Sequence, residues 1–265
     1  MKNVVRFLAV VVMLASIVSA VGCSSGSTPV GLAKDRAVSI MKVLPSNVSE
    51  FVYEDLYMLR TDKNLSAEWS HLQQSNGSAL LQKVDGVGVV YEGIYLFLGG
   101  GSSPDQLMGV SSGNGSYSYG GFKVSTYAEG ISKVLINGIS VYGPDDEVRL
   151  CIDVANGNAT SLYGNEDVKS VFDRLPDGYV LRMVTGNESV PVELAAMLVL
   201  GTSGNKQGSN NVSTNVYKFN SSDAAQEYVQ VVSNESQDPT VHIDMTQDGA
   251  FVKEFITPVT ATPTP

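Results

Sequence analysis

The sequence predicts an α+β fold in two lobes, each a mainly antiparallel sheet with helices packed on one face. Three observations carry this. Short apolar runs and amphipathic stretches follow one another in mixed order, with hairpin-type turns at Asn137-Gly138 and Asp248-Gly249, which disfavours a parallel α/β sheet. Hydrophobic residues make up 43% of the 265-residue chain, enough for a packed core, and charged residues only 17%. A strand, an acidic turn and a helix beginning at Val141-Tyr142 are echoed from Val216-Tyr217 onward, which divides the chain in two.

The elements follow in order. Residues 32–43 read as a short helix with Ala33, Ala37, Ile40 and Met41 on one side and Pro45 beyond its end. The run 50–59, holding Phe51, Val52, Tyr53, Leu56, Tyr57 and Met58, reads as a strand covered on both faces. Over 62–74, Leu65, Trp69 and Leu72 recur at helical spacing. Runs 87–91 and 94–98 are strands, followed by a Gly/Ser stretch from Gly99 and a small helix seeded at Ser103. Runs 122–127, 131–136 and 139–142 are successive strands.

The clearest helix is 144–155. Pro144 suits its first turn, Asp145, Asp146 and Glu147 complement its N-terminal dipole, and Val148, Cys151, Ile152 and Ala155 keep the apolar spacing. Asn165 caps a second helix carrying Val168, Val171, Phe172 and Leu175, and a strand follows at 179–185. Run 192–200 is a long apolar strand, with a short buried helix as the competing reading. A polar loop at 202–211, a strand at 212–219, a helix at 221–232 and a hairpin over 241–256 complete the second lobe. The domain boundaries are therefore 1–22 for an export signal, 23–31 for a flexible tether, 32–190 for the larger lobe, 191–257 for the smaller, and 258–265 for a disordered Pro/Thr tail.

The N-terminus states an address. Lys2 and Arg6 precede an apolar run from Phe7 to Val18, and small residues Ser19-Ala20-Val21-Gly22 lead to Cys23. The run is too short for a membrane span, which needs about 20 apolar residues. The junction Ala20-Val21-Gly22-Cys23 resembles the lipobox of prokaryotic lipoproteins, with Ala20 where leucine is commonest. The resemblance implies cleavage before Cys23, a lipid on its sulfur and attachment to the outer face of the cell membrane. Ordinary cleavage after Ala20 or Gly22, giving a free secreted protein, is the alternative. The body resembles the duplicated α+β bodies of prokaryotic surface lipoproteins of unassigned function, through Leu44-Pro45, Glu50-Phe51 and Asp55-Leu56 with Leu59-Arg60. That resemblance implies no catalytic residues.

Asn-x-Ser/Thr sequons begin at Asn47, Asn64, Asn76, Asn114, Asn158, Asn187, Asn211, Asn220 and Asn234. Nine sequons from 16 asparagines is about three times the chance expectation from the Ser and Thr content. Such sites can carry solubilising glycans on an exported chain.

Net charge −10 and a pI near 4.6 exclude a nucleic-acid partner, which requires a clustered basic face. A negative body is also repelled by anionic headgroups, so membrane attachment falls to the lipid at Cys23. Only His71 and His242 are available as imidazole bases. His242 and Asp244 share one strand face without a third ligand nearby. Gly109-Val110-Ser111-Ser112-Gly113 matches G-x-S-x-G without the strand and helix a nucleophile elbow needs, and Ser39-Ile40-Met41-Lys42 matches S-x-x-K without its companion motifs. Gly99-Gly100-Gly101-Ser102-Ser103 lacks a phosphate-loop lysine, and Cys151 reads as a buried, inert thiol. Asp145-Asp146-Glu147 lacks the ligand spacing of a calcium loop. No catalytic residue, metal or cofactor is expected.

Tyr117 and Tyr119 alternate on one strand beside Phe122 and are the candidate ligand-binding rings. The resulting expectation is a lipid-anchored envelope protein, a non-catalytic binding or structural module with a protein or glycan partner. The alternative is an extracytoplasmic hydrolase using carboxylates in a cleft between the lobes.

Overall fold

A computed structural model describes residues 32–74, 78–110, 113–186, 196–207, 210–234 and 240–259. The export signal, Cys23, the tether and residues 260–265 lie outside these, as do Asn76 and Asn187 and the two serines of the G-x-S-x-G stretch. In chain order the elements are α1 (Leu32–Met41), β1 (Glu50–Glu54), α2 (Leu56–Thr61), a 3-10 turn (Lys63–Leu65), α3 (Ser66–Gln73), α4 (Ser78–Leu81), β2 (Val84–Val90), β3 (Tyr95–Gly99), α5 (Ser103–Leu107), β4 (Gly115–Tyr119), β5 (Phe122–Thr126), β6 (Ile131–Ile136) and β7 (Ile139–Pro144). Then come α6 (Asp145–Ala155), α7 (Glu166–Arg174), β8 (Val180–Thr185), β9 (Met197–Gln207), β10 (Asn210–Phe219), α8 (Ser222–Asn234), β11 (Val241–Asp248) and β12 (Phe251–Pro258).

The fold is α+β, as the sequence predicts. Among the described residues all twelve strands join one sheet in the order β11-β12-β10-β9-β8-β1-β2-β3-β7-β6-β5-β4, and every neighbouring pair is antiparallel. The two expected lobes are met only in part. Met197, Tyr217, Phe219, Ala225, Tyr228 and Val252 form a separate cluster under α8, yet β8 pairs with β9 and carries the sheet through without a break.

Helices on one face only is corrected by the strand chemistry. Leu96 of β3 and Val141 of β7 join one core with α1, α6 and α7, while Tyr95, Phe97 and Tyr142 of the same strands join another with α2, α3 and α4. Strands apolar on both sides need cover on both sides. The sequence echo also diverges here: α6 packs on the face of Val141, whereas α8 packs with Tyr217 on the opposite one.

Two element expectations change for stated reasons. The run 50–59 is not one strand, because Asp55 Oδ1 accepts the Met58 N–H at 2.7 Å and caps α2 directly after Glu54. The stretch 202–211 is not one polar loop, because β9 runs to Gln207 and β10 begins at Asn210. Its polar side chains find partners inside and outside the sheet: Thr202 Oγ1 donates to Asn215 Oδ1 at 2.9 Å, and Asn205 Nδ2 donates to Asp177 O at 2.9 Å. The expected turns are present: Asn137 (φ 50°) and Gly138 (φ 82°) both occupy the left-handed region their tight hairpin requires. Asn165 Oδ1 accepts from Asp167 and Val168 N–H at the start of α7, and Pro144 stands just before α6 rather than in its first turn.

Candidate functional site

A group of buried polar side chains lies at the end of β1, between β8, β9 and α3. It begins with the Glu54-Asp55 pair. Asp55 is fully buried and fully used: Arg36 of α1 donates Nε to Oδ2 at 2.7 Å and Nη2 to Oδ1 at 2.9 Å, and the Tyr53 hydroxyl donates to Oδ2 at 3.0 Å. The same carboxylate caps α2, and its own backbone N–H donates to Tyr179 O at 2.8 Å. Three elements and the residue leading into β8 are thus fastened at one residue.

Glu54 is its opposite. It sits across from Val87 on β2 and Val180 on β8, is 3% exposed, and its Oε1 has no hydrogen-bond partner. Burial, and secondarily the Asp55 charge, pushes its carboxyl up to about 8. At neutral pH it is therefore a protonated acid held in the interior. Tyr179, 8% exposed, feels both Glu68 and Glu54, and burial with these charges raises its hydroxyl well above the ordinary tyrosine range. Glu68 of α3 pairs with Lys206 of β9 at 2.7 Å, and Glu68 Oε2 is buried without a hydrogen-bond partner. A neutral acid, a phenol and an ion pair together can donate and accept protons or hold a polar group away from water.

The sequence missed this group. A signal was present: two adjacent acids inside an apolar run read as covered on both faces demand either a cap or a protonated carboxyl. Asp55 takes the first role and Glu54 the second.

The predicted aromatic residues lie elsewhere. Tyr117 and Tyr119 project from β4 against α6, where Arg149 stacks on both rings at 5.0 and 5.3 Å from their centroids. Tyr117 donates to Asp145, which also accepts from Ser132 at 2.7 Å, and Tyr119 donates to Asp153 at 3.1 Å. Phe122 packs against the core on the same side. The three come together, half-buried, between hairpin and helix, with both tyrosine hydroxyls bonded within the chain and Phe122 packed beside them.

His71 is exposed on α3; His242 Nε2 lies 3.2 Å from Asp244 Oδ1 on the exposed side of β11. Among the described residues no group of three or more His, Cys, Asp or Glu side chains could hold a metal ion. Cys151 is buried on α6, its thiol pushed up to about 12 by burial and the Glu147 charge. Ser39 hydrogen-bonds back to Asp35 O on α1. Of the sequons, Asn47, Asn114, Asn158 and Asn220 are exposed, Asn64 and Asn211 are half-buried, and Asn234 ends α8. No helix among the described residues is long and apolar enough to cross a membrane.

No protein-family model matches the chain. It is 26% identical over 207 residues to the uncharacterized protein MJ0635 of Methanocaldococcus jannaschii, covering 71% of this chain and 70% of that protein. Among solved structures it is similar to crystal form IV of TP0453, at TM-score 0.47 and 9% identity over 82% of this chain and 92% of that one. Form III of TP0453 gives TM-score 0.45 and 9% identity, covering 82% and 91%.

Proposed function

We propose that this chain is a lipid-anchored protein of the cell envelope, fastened through Cys23 to the outer face of the membrane, where its body serves as a binding or structural module. The observation that carries this is the run from Lys2 to Cys23: charged start, short apolar stretch, small residues and a cysteine at the junction. The tether Ser24-Ser25-Gly26-Ser27-Thr28-Pro29 then has the composition of a flexible spacer ahead of α1. The exposed Asn47, Asn114, Asn158 and Asn220 add acceptor positions that glycans can reach. The half-exposed Tyr117, Tyr119 and Phe122 offer ring surface to a protein or glycan partner.

Radiolabelled fatty acid supplied to expressing cells tests the anchor. Label that follows the native protein into membranes, and is lost with Cys23→Ala, supports it; equal membrane retention of the unlabelled variant overturns it.

A second reading, a hydrolase working through carboxylates, rests on Glu54, whose carboxyl, pushed up to about 8, holds a proton at neutral pH as a general acid must. Hydrolysis of chromogenic ester and glycoside substrates that falls at least about a hundredfold in Glu54→Gln would favour it. The deep burial of Glu54 speaks for the first reading, since a substrate must reach an acid that is to protonate it.

A further inference from the structure

The sheet has two ends of unlike character. At one, β4 is a five-residue strand of Gly, Ser and Tyr clasped to α6. At the other, β11 is eight residues long, holds regular register with β12 and contains no proline. Among the described residues, β11 has a strand on one side only. Natural edges are commonly blunted by shortness, bulges or proline, and β11 uses none of these.

The direction of its backbone groups follows from its pairing. Thr240 O accepts the Val259 N–H at 2.8 Å, and Thr240 lies one step before the Val241–Pro258 pair. In an antiparallel ladder such groups alternate. Even-numbered residues therefore turn N–H and C=O toward β12, and Val241, Ile243, Met245 and Gln247 turn theirs outward. The side chains divide the same way: Val241, Ile243 and Met245 are half-buried, whereas His242, Asp244 and Thr246 are exposed on the other face.

This pattern is complementary to itself. In an antiparallel self-pairing about Ile243, Ile243 meets Ile243 of the second copy as a hydrogen-bonded pair. Val241 then faces Met245 of the second copy, apolar on apolar, at both ends. His242 faces Asp244 of the second copy, again twice, as the close pair type whose Cβ atoms lie about 4.5–5.5 Å apart. Centring on Asp244 would set Asp244 against itself, and centring on Met245 would set Ile243 against Gln247.

We propose that β11 is a self-pairing edge: a second copy of this chain adds its own β11 antiparallel about Ile243, joining the two sheets into one. The chain's net charge of −10 opposes approach of the two bodies, so the dimer is weak and the two His242–Asp244 contacts set its register.

Sedimentation equilibrium of the purified full-length chain, from about 10 μM to about 1 mM, reads it directly. The native chain should show a concentration-dependent dimer. Ile243→Pro should be monomeric with unchanged circular dichroism, because the N–H it removes points away from β12. His242→Asp and Asp244→His should each weaken the dimer at least about tenfold by setting like groups opposite each other. The double exchange, H242D with D244H, should restore it to within about threefold, whereas a register centred on Met245 would set the carboxylate introduced by H242D against Asp248 and stay weak. A monomer throughout the range, a dimer unaffected by I243P, or a double exchange no stronger than the single variants would each overturn the proposal. The exchange variants lie on the exposed face and decide the matter even if I243P fails to fold.

Discussion

Arg36 grips Asp55 with two parallel hydrogen bonds of 2.7 and 2.9 Å, and so ties α1 to the junction of β1 and α2. The carboxylate is fully buried while Arg36 is 19% exposed, so the pair is a desolvated anchor at its acid end. Breaking one half of such a pair leaves an uncompensated charge. Asp55→Ala should lower unfolding stability by about 3 kcal/mol, from the stranded guanidinium and the lost α2 cap. Urea unfolding measures it; a loss below about 1 kcal/mol would show that the pair is dispensable.

Glu54 makes stability depend on pH in a defined window. In the folded protein its carboxyl is pushed up to about 8 from an ordinary 4.5. Below 4.5 both folded and unfolded chains bind the proton, so its contribution is fully present. Between the two values only the folded chain keeps it, and stability falls as pH rises. Above about 8 both states are ionised and this dependence stops. Glu54→Gln should flatten the slope between about pH 5 and 8 in a series of urea titrations, where an unchanged slope would assign it to other groups.

Gly120, at the turn between β4 and β5, has φ 55°, and a Cβ there would stand 2.5 Å from Asn156 Nδ2 and 2.7 Å from Ile152 Cγ2. Gly121 is also left-handed, φ 86°, but faces open space. Gly120→Ala should therefore cost more than Gly121→Ala, by about 1–2 kcal/mol, because it also pushes the hairpin off α6. The difference in thermal midpoint between the two variants checks it, and equal midpoints would contradict the close packing.

The exposed sequon residues give a mass prediction. If glycans are present in the native protein, Asn47→Gln, Asn114→Gln, Asn158→Gln and Asn220→Gln should each remove one glycan mass, while Asn211→Gln, within β10 and half-buried, should remove none. Intact-mass spectra of each variant distinguish these outcomes.

Local chemistry was legible wherever one residue decides one element. Asn137-Gly138 imposed its turn and Asn165 its cap, because both act through backbone geometry within a few residues. Asp55 could have been read the same way, but the apolar residues around it hid the cap inside a strand pattern. The long β9 strand was not legible at Thr202 and Lys206, since their partners, Asn215 and Glu68, are supplied by distant segments. The continuous sheet was hidden for the same reason: β8 pairing with both β1 and β9 is a long-range choice that no local periodicity records. The buried group around Glu54 was visible only as an oddity, two acids in an apolar run; the alternation of Tyr117 and Tyr119 was visible, but their partner Arg149 was not, because it lies on another element.

The anchor at Cys23 is the claim on which the envelope assignment stands. The N-terminal peptide of the native protein, isolated from membranes and measured by mass spectrometry, tests it most directly. The expected result is a peptide beginning at Cys23 and heavier than its amino-acid sequence by a lipid. A protein that retains Met1 through Gly22, or a peptide beginning at an unmodified Cys23, would contradict it.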